Sequence, residues 1–207
     1  DQRGPAAGHD GVVLAAVDGG MTWTRQLDGR TANELILSGV RARLDADPQS
    51  AELQALVAEA ERYKVQGADK PFLDVWFENE THGFVVGAYN LLFETSDGGR
   101  TWQSWFDRAE NPRFMNLYAI RPAAGGLFIA GESGTVLKLD PVARRFVSVS
   151  VDYRGSLFGV VGAGDAVLVF GLRGSAFRSA DSGATWTRVD ARLPATIVGA
   201  ARQDHGE

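Results

Sequence analysis

The sequence predicts an all-β chain, a partial or fragmentary β-propeller of four-stranded antiparallel blades with an inserted α-helical hairpin. Three observations predict it. The pattern x-x-Asp-x-Gly-x-Thr-Trp occurs three times, a Gly-x-x-Gly or Gly-x-x-Asn turn stands upstream of each copy, and a short apolar strand begins each period of about 40 residues.

The three copies are Ala16 to Trp23, Thr95 to Trp102 and Ser179 to Trp186. Their aspartates lie 79 and 84 residues apart, and Asp140 divides the second interval into steps of 43 and 41. Asp140 marks a degenerate copy with Phe146 in place of Trp. The glycine turns run Gly8 to Gly11, Gly87 to Asn90, Gly131 to Gly134 and Gly171 to Gly174, where Gly and Asn tolerate positive φ. The first strands start at Leu73, Leu117, Leu157 and Ile197, at intervals of 44, 40 and 40. Blades are therefore expected over 72–107, 116–149 and 156–190, with a partial blade over 1–31 and the first strand of a further blade in 191–207. Such ends fit a piece of a larger ring, a small closed ring, or chains that complete one another's propeller.

Residues 32–70 break the period. Leu53, Leu56, Val57 and Ala60 follow helical spacing, with Asp47 as N-cap, Pro48 in the first turn and Gly67 as the stop. A shorter helix is expected over Glu34 to Leu44, with Leu37, Val40 and Leu44 on its apolar face.

Composition narrows the function. Glycine supplies 25 of 207 residues while 44% are hydrophobic, which suits many tight turns around a core and not disorder. A net charge of −5 without any basic run argues against nucleic acid as partner. Only Lys64, Lys70 and Lys138 are lysines among the 21 basic residues. Cysteine is absent, so disulfides and thiolate chemistry are excluded. No apolar stretch is long enough for membrane insertion, and Asp1 to Gly11 has no charged segment followed by an apolar one, so a signal peptide is either absent or already removed.

In each repeat the aspartates Asp18, Asp97 and Asp181 can accept backbone N–H bonds across a tight turn. Gly20, Gly99 and Gly183 permit a left-handed residue, and Trp23, Trp102 and Trp186 cover the turn. These roles are structural, because copies placed one per blade do not converge on a single catalytic centre. Tyr89, Glu132 and Arg173 are expected at equivalent hairpin tips, where a binding surface would use variable residues.

Lys70 to Phe77, followed by His82 to Tyr89 and then Thr95 to Trp102, resembles the BNR or Asp-box repeat proteins, in particular the photosystem II stability/assembly factor family. The helical insertion resembles bacterial versions outside the photosynthetic lineage. The resemblance implies a non-enzymatic, extracytoplasmic propeller, periplasmic or membrane-associated, without cofactor, that binds a protein client such as a membrane protein. Sialidases also carry such boxes, and Tyr118-Ala119-Ile120-Arg121-Pro122 echoes the motif presenting their first arginine. Strand register explains that echo, since Phe77 and Val161 occupy the position of Arg121 in sister blades. A carbohydrate-active propeller that binds or cleaves glycans is the rival reading. His9, His82 and His205 have no metal-ligand spacing, and His82 beside Gly83 is expected to be solvated, as are Asp74, Glu78 and Glu80. Gly162 to Asp165 lacks the context of a phosphate loop.

Overall fold

The computed structural model describes residues 4–192 and 194–201 of the chain, which divides into two compact units, 1–108 and 109–207. His205 and the rest of 202–207 lie outside the described residues.

Unit 1 opens with a three-stranded antiparallel sheet of β1 (Gly4–Gly8), β2 (Val12–Ala16) and β3 (Thr24–Leu27). Its second sheet is a four-stranded meander of β4 (Phe72–Phe77), β5 (Gly83–Gly87), β6 (Leu92–Thr95) and β7 (Gln103–Ser104). Strand β5, Gly-Phe-Val-Val-Gly, is buried along its whole length, as a central strand covered on both faces must be. Phe72 meets Phe93 edge-on at 5.6 Å and Phe84 meets Trp105 at 5.1 Å, so aromatic pairs fill this sheet's core.

Between the sheets stand α1 (Gly29–Ala46) and α2 (Ala51–Gln66). The first helix begins five residues before its expected start, because Asp28 caps it by accepting from Thr31 N–H at 3.0 Å. The second is capped by Ser50, whose Oγ accepts from Leu53 N–H at 3.3 Å. Asp47, expected in that role, instead closes α1, its N–H bonded to Arg43 O at 3.0 Å. Gly67 ends α2 at φ 85°, a left-handed stop that glycine adopts without strain. Buried Asn33 ties the helices together by donating to Tyr63 O at 3.0 Å and Gly67 O at 2.8 Å. The pair docks on the second sheet through Tyr63, which meets Phe106 edge-on at 5.6 Å and donates its hydroxyl to Tyr89 O at 2.8 Å. An ion pair from Arg43 to Asp107 adds to that contact.

Unit 2 contains two meanders of one topology. The first is β8 (Leu117–Ala123), β9 (Gly126–Gly131), β10 (Val136–Asp140) and β11 (Arg145–Ser148); the second is β12 (Leu157–Ala163), β13 (Ala166–Gly171), β14 (Ser175–Ser179) and β15 (Thr187–Asp190). They pack face to face, with β8 against β12 and a core around Phe128, Leu157, Val169 and Phe177. In all three meanders the first strand slips register by one residue near its start, at Phe72/Asp74, Leu117/Ala119 and Leu157/Gly159. One recurring bulge in three independent sheets marks them as copies of one unit, the blade of a partial β-propeller.

Ile197 to Ala200, expected as the first strand of a further blade, has no strand pairing among the described residues. Its one backbone bond runs from Ile197 N–H to Gly171 O at 2.9 Å, and a strand requires a ladder of such bonds.

Candidate functional site

The Asp boxes join the last two strands of their sheets, β2 to β3, β6 to β7 and β14 to β15. In the second box Asp97 accepts from Thr101 N–H at 2.9 Å and from the Thr101 hydroxyl at 2.6 Å. The third box repeats this from Asp181 to Thr185 at 2.8 Å and without change of partners, and the first from Asp18 to Thr22 at 3.0 and 2.6 Å. Gly20, Gly99 and Gly183 have φ of 89°, 82° and 91°, the left-handed turn that glycine permits. Trp23 and Trp186 do more than cover the turn, for each donates Nε1–H to the carbonyl of the box glycine at 3.1 Å. Trp102 is instead packed edge-on against Phe77 at 6.2 Å.

The residue two before the aspartate also belongs to the box, a role that the motif with two free leading positions overlooks. Gly99 N–H donates to Thr95 Oγ1 at 2.8 Å, and the Thr95 hydroxyl donates on to Asp97 at 3.0 Å. Ser179 makes the same relay between Gly183 and Asp181 at 2.7 Å for both bonds. Ala16 stands there in the first box and has no hydroxyl. The signal was legible as Thr95 and Ser179 in register. Asp140, in the degenerate copy, accepts from Val142 and Ala143 N–H at 2.9 Å, and buried Phe146 takes the place of Trp.

Hydrogen bonds from the Thr101 hydroxyl and backbone hold the Asp97 carboxyl down at about 2, and those from Thr185 hold Asp181 there as well. Asp18 is lowered by Thr22 in the same way. A carboxylate bonded more strongly in the native state stabilises it above the ordinary Asp pKa and ceases to do so as pH falls toward 2. Native stability is therefore expected to drop between pH 4 and 2, and the double substitution Asp97→Asn, Asp181→Asn to flatten that slope in urea titrations. An unchanged slope would assign the acid sensitivity elsewhere.

The hairpin turns between second and third strands are pairs of left-handed residues, as two-residue hairpins require. Tyr89 and Asn90 have φ of 52° and 67°, Ser133 and Gly134 have 54° and 77°, and Arg173 and Gly174 have 56° and 69°. Tyr89 and Arg173 thus hold equivalent positions, but the residue equivalent to them at 131–134 is Ser133 and not Glu132. Glu132 lies one residue earlier, where its carboxylate accepts from Asn116 N–H at 3.2 Å. The leading glycine of each turn is extended, at φ −165°, −155° and −177° for Gly87, Gly131 and Gly171. It is glycine for close approach: a Cβ on Gly171 would lie 2.7 Å from Leu157 Cα and nearer still to Ser156 O.

His82, expected to be solvated, is half-buried: Nδ1 lies 2.8 Å from Glu78 Oε2 and Nε2 3.0 Å from Glu94 Oε1. Glu94 also accepts from Trp105 Nε1 at 2.9 Å. Burial alone disfavours the imidazolium, but bonds to both carboxylates outweigh it and raise the pKa above the usual histidine value. The stability contributed is present below pH 6.5 and is lost as pH rises through the folded value. Replacing Glu94 with Gln is expected to lower the His82 titration midpoint seen by NMR; an unmoved midpoint would refute this network.

Arg121, from the sialidase-like segment, lies exposed on β8 with its guanidinium donating to Ile120 O at 2.6 Å. Unit 2 also carries a polar groove of about 320 Å³ beside the Ser133 turn. Asn111 shapes its wall by bonding Met115 through both side-chain atoms at 2.8 and 3.0 Å, and Arg113, Ser150 and Tyr153 line it. No helix is long and apolar enough to cross a membrane among the described residues.

Repeated blades carrying Asp-box turns define an Asp-box β-propeller. The model of the photosynthesis system II assembly factor YCF48 family matches residues 54–207, and the chain belongs to that family. The photosystem II assembly lipoprotein Ycf48 of Synechococcus sp. is 57% identical over 37 residues, covering 18% of this chain and 11% of the relative. The chloroplastic photosystem II stability/assembly factor HCF136 of Arabidopsis thaliana is 30% identical over 92 residues, 44% of this chain and 21% of the relative. The matches span only 11% to 25% of the curated relatives' lengths. Among solved structures, a Niastella koreensis GH74 enzyme superimposes with TM-score 0.56 at 14% identity, over 90% of this chain and 27% of its own, a likeness of fold. YCF48 bound to D1 peptide aligns at 25% identity and TM-score 0.48, over 56% of this chain and 38% of its own.

Proposed function

We propose that this chain is part of a non-catalytic assembly factor that holds a polypeptide client, a membrane protein or complex, on the extracytoplasmic side of a membrane. Family membership over 54–207 is the observation that carries this reading. The lipoprotein names of relatives support the location. The box chemistry supports the absence of catalysis, because each aspartate is engaged by its own turn and so is withheld from a substrate. The unit 2 groove, with Arg113 at its wall and the Ser133 turn beside it, is the surface we assign to the client, with Arg173 as a further tip of the same unit; Tyr89 is an exposed tip of unit 1.

A photo-crosslinking side chain at Arg113, introduced into the full chain and mixed with solubilised membranes of its source organism, tests the assignment. The expected product is one discrete adduct with a membrane polypeptide. Labelling only of glycan, or of nothing, would contradict it.

A further inference from the structure

The outer edge of the first meander in unit 2 is half closed by the chain itself. β11 is the last strand of its sheet, laddered to β10 on one side. On its other side Ala109 forms a parallel bridge with Phe146, and Glu110 N–H donates to Phe146 O at 2.9 Å. A parallel ladder would continue with Ser148 N–H donating to Glu110 O. Ser148 N–H donates instead to the Glu110 carboxylate, Oε2, at 2.9 Å, because the chain is already leaving the edge. Asn111 turns it away: its N–H donates to Ala109 O at 2.8 Å, its carbonyl accepts from Phe114 N–H, and its side chain holds Met115.

The next positions of that ladder stay open. Residue 112 would have to donate to Ser148 O and accept from Ser150 N–H, and it is a proline, which has no N–H. Ser148 and Ser150 are exposed, and neither Ser148 O nor Ser150 N–H has a protein partner among the described residues. Both residues line the unit 2 groove, together with Pro112, Arg113 and the Ser133 turn. Every lining residue lies between 110 and 153, so the opening belongs to an edge strand and its flanking segments, not to either end of the chain.

We infer that the client of this groove binds by strand addition: one extended segment of its polypeptide lies parallel to β11, a single residue donating to Ser148 O and accepting from Ser150 N–H. The inference rests on the reading that the groove holds the client. The occupant is polypeptide backbone because the chain's own Ala109 and Glu110 fill the preceding positions of the same ladder. What remains is one carbonyl and one N–H at strand spacing, the pair that a parallel strand meets together. Main-chain bonds read no side chain, so the edge selects an extended stretch without proline at the bonded residue.

Peptides selected from a randomised phage-displayed library on the full chain test this, with binding read by fluorescence anisotropy and by the amide NMR spectrum of the chain. The tightest binder is resynthesised with one N-methyl group at each backbone position in turn. Binding is expected to shift the Ser150 amide resonance. Methylation is expected to weaken binding at least about tenfold at the bonded residue, while its two neighbours, whose N–H groups point away from the edge, tolerate it. Ser150→Pro, which removes the N–H, is expected to weaken the same peptide alike, and methylating the peptide keeps the test independent of how that variant folds. No binder, a binder that leaves Ser150 unmoved, or one indifferent to methylation throughout would overturn strand addition. The client reading fails separately, by the absence of an Arg113 adduct with a membrane polypeptide, so the two failures are told apart.

Discussion

Phe128→Ala is expected to destabilise unit 2 by about 3–5 kcal/mol, the cost of removing a large aromatic ring from a packed core. The ring has no exposed surface, belongs to a cluster with Leu157, Val169 and Phe177, and lies under the turn of the third box at Gly183. Its loss removes apolar burial from one sheet and the seat of the box on the other. Urea unfolding followed by tryptophan fluorescence should show the midpoint fall, with Trp186 reporting because it packs against the same cluster. A cost under about 1 kcal/mol would mean that the sheets collapse around the gap and that the seat is unimportant.

Gly171→Ala should cost about 3 kcal/mol, at the upper end of what overpacking does. The added methyl would meet Ser156 O and Leu157 Cα, both backbone atoms of β12 and its approach, which cannot rotate aside. Leu172 N–H bonds to Ser156 O at 3.0 Å at the same place, so the clash also opens a ladder end. Gly87 and Gly131 stand in the same contact with Pro71 O and Asn116 O, and Ala at either is expected to behave alike. Tolerance of Ala at all three would show that the close approach is not what selects glycine.

The blades were legible because their signals are local. A Gly turn, an Asp box and an apolar strand repeat in fixed order, and the described sheets begin at Phe72, Leu117 and Leu157, within a residue of the strands expected there. Other features depend on contacts that spacing does not encode. Lys138 reaches Ser182 across 44 residues, and His82 finds Glu94 on a different strand. Left-handed Tyr89 and Arg173 were unreadable as such, because bulky residues seldom adopt positive φ; counting from the preceding glycine would still have placed Ser133, not Glu132, beside them. Helix α1 began early because its cap, Asp28, lies ahead of the periodic apolar residues that announce it. The hydroxyls of Thr95 and Ser179 were visible in the sequence, and only the relay they carry required coordinates.

Calorimetric titration of the chain against purified, detergent-solubilised membrane complexes, with Arg113→Glu as a parallel sample, bears most directly on the claim that a propeller surface holds a client without chemistry. Saturable binding that the substitution weakens at least about tenfold, roughly 1.4 kcal/mol, is the predicted result. Heat from turnover of an added glycoside, together with indifference to every membrane complex, would contradict it.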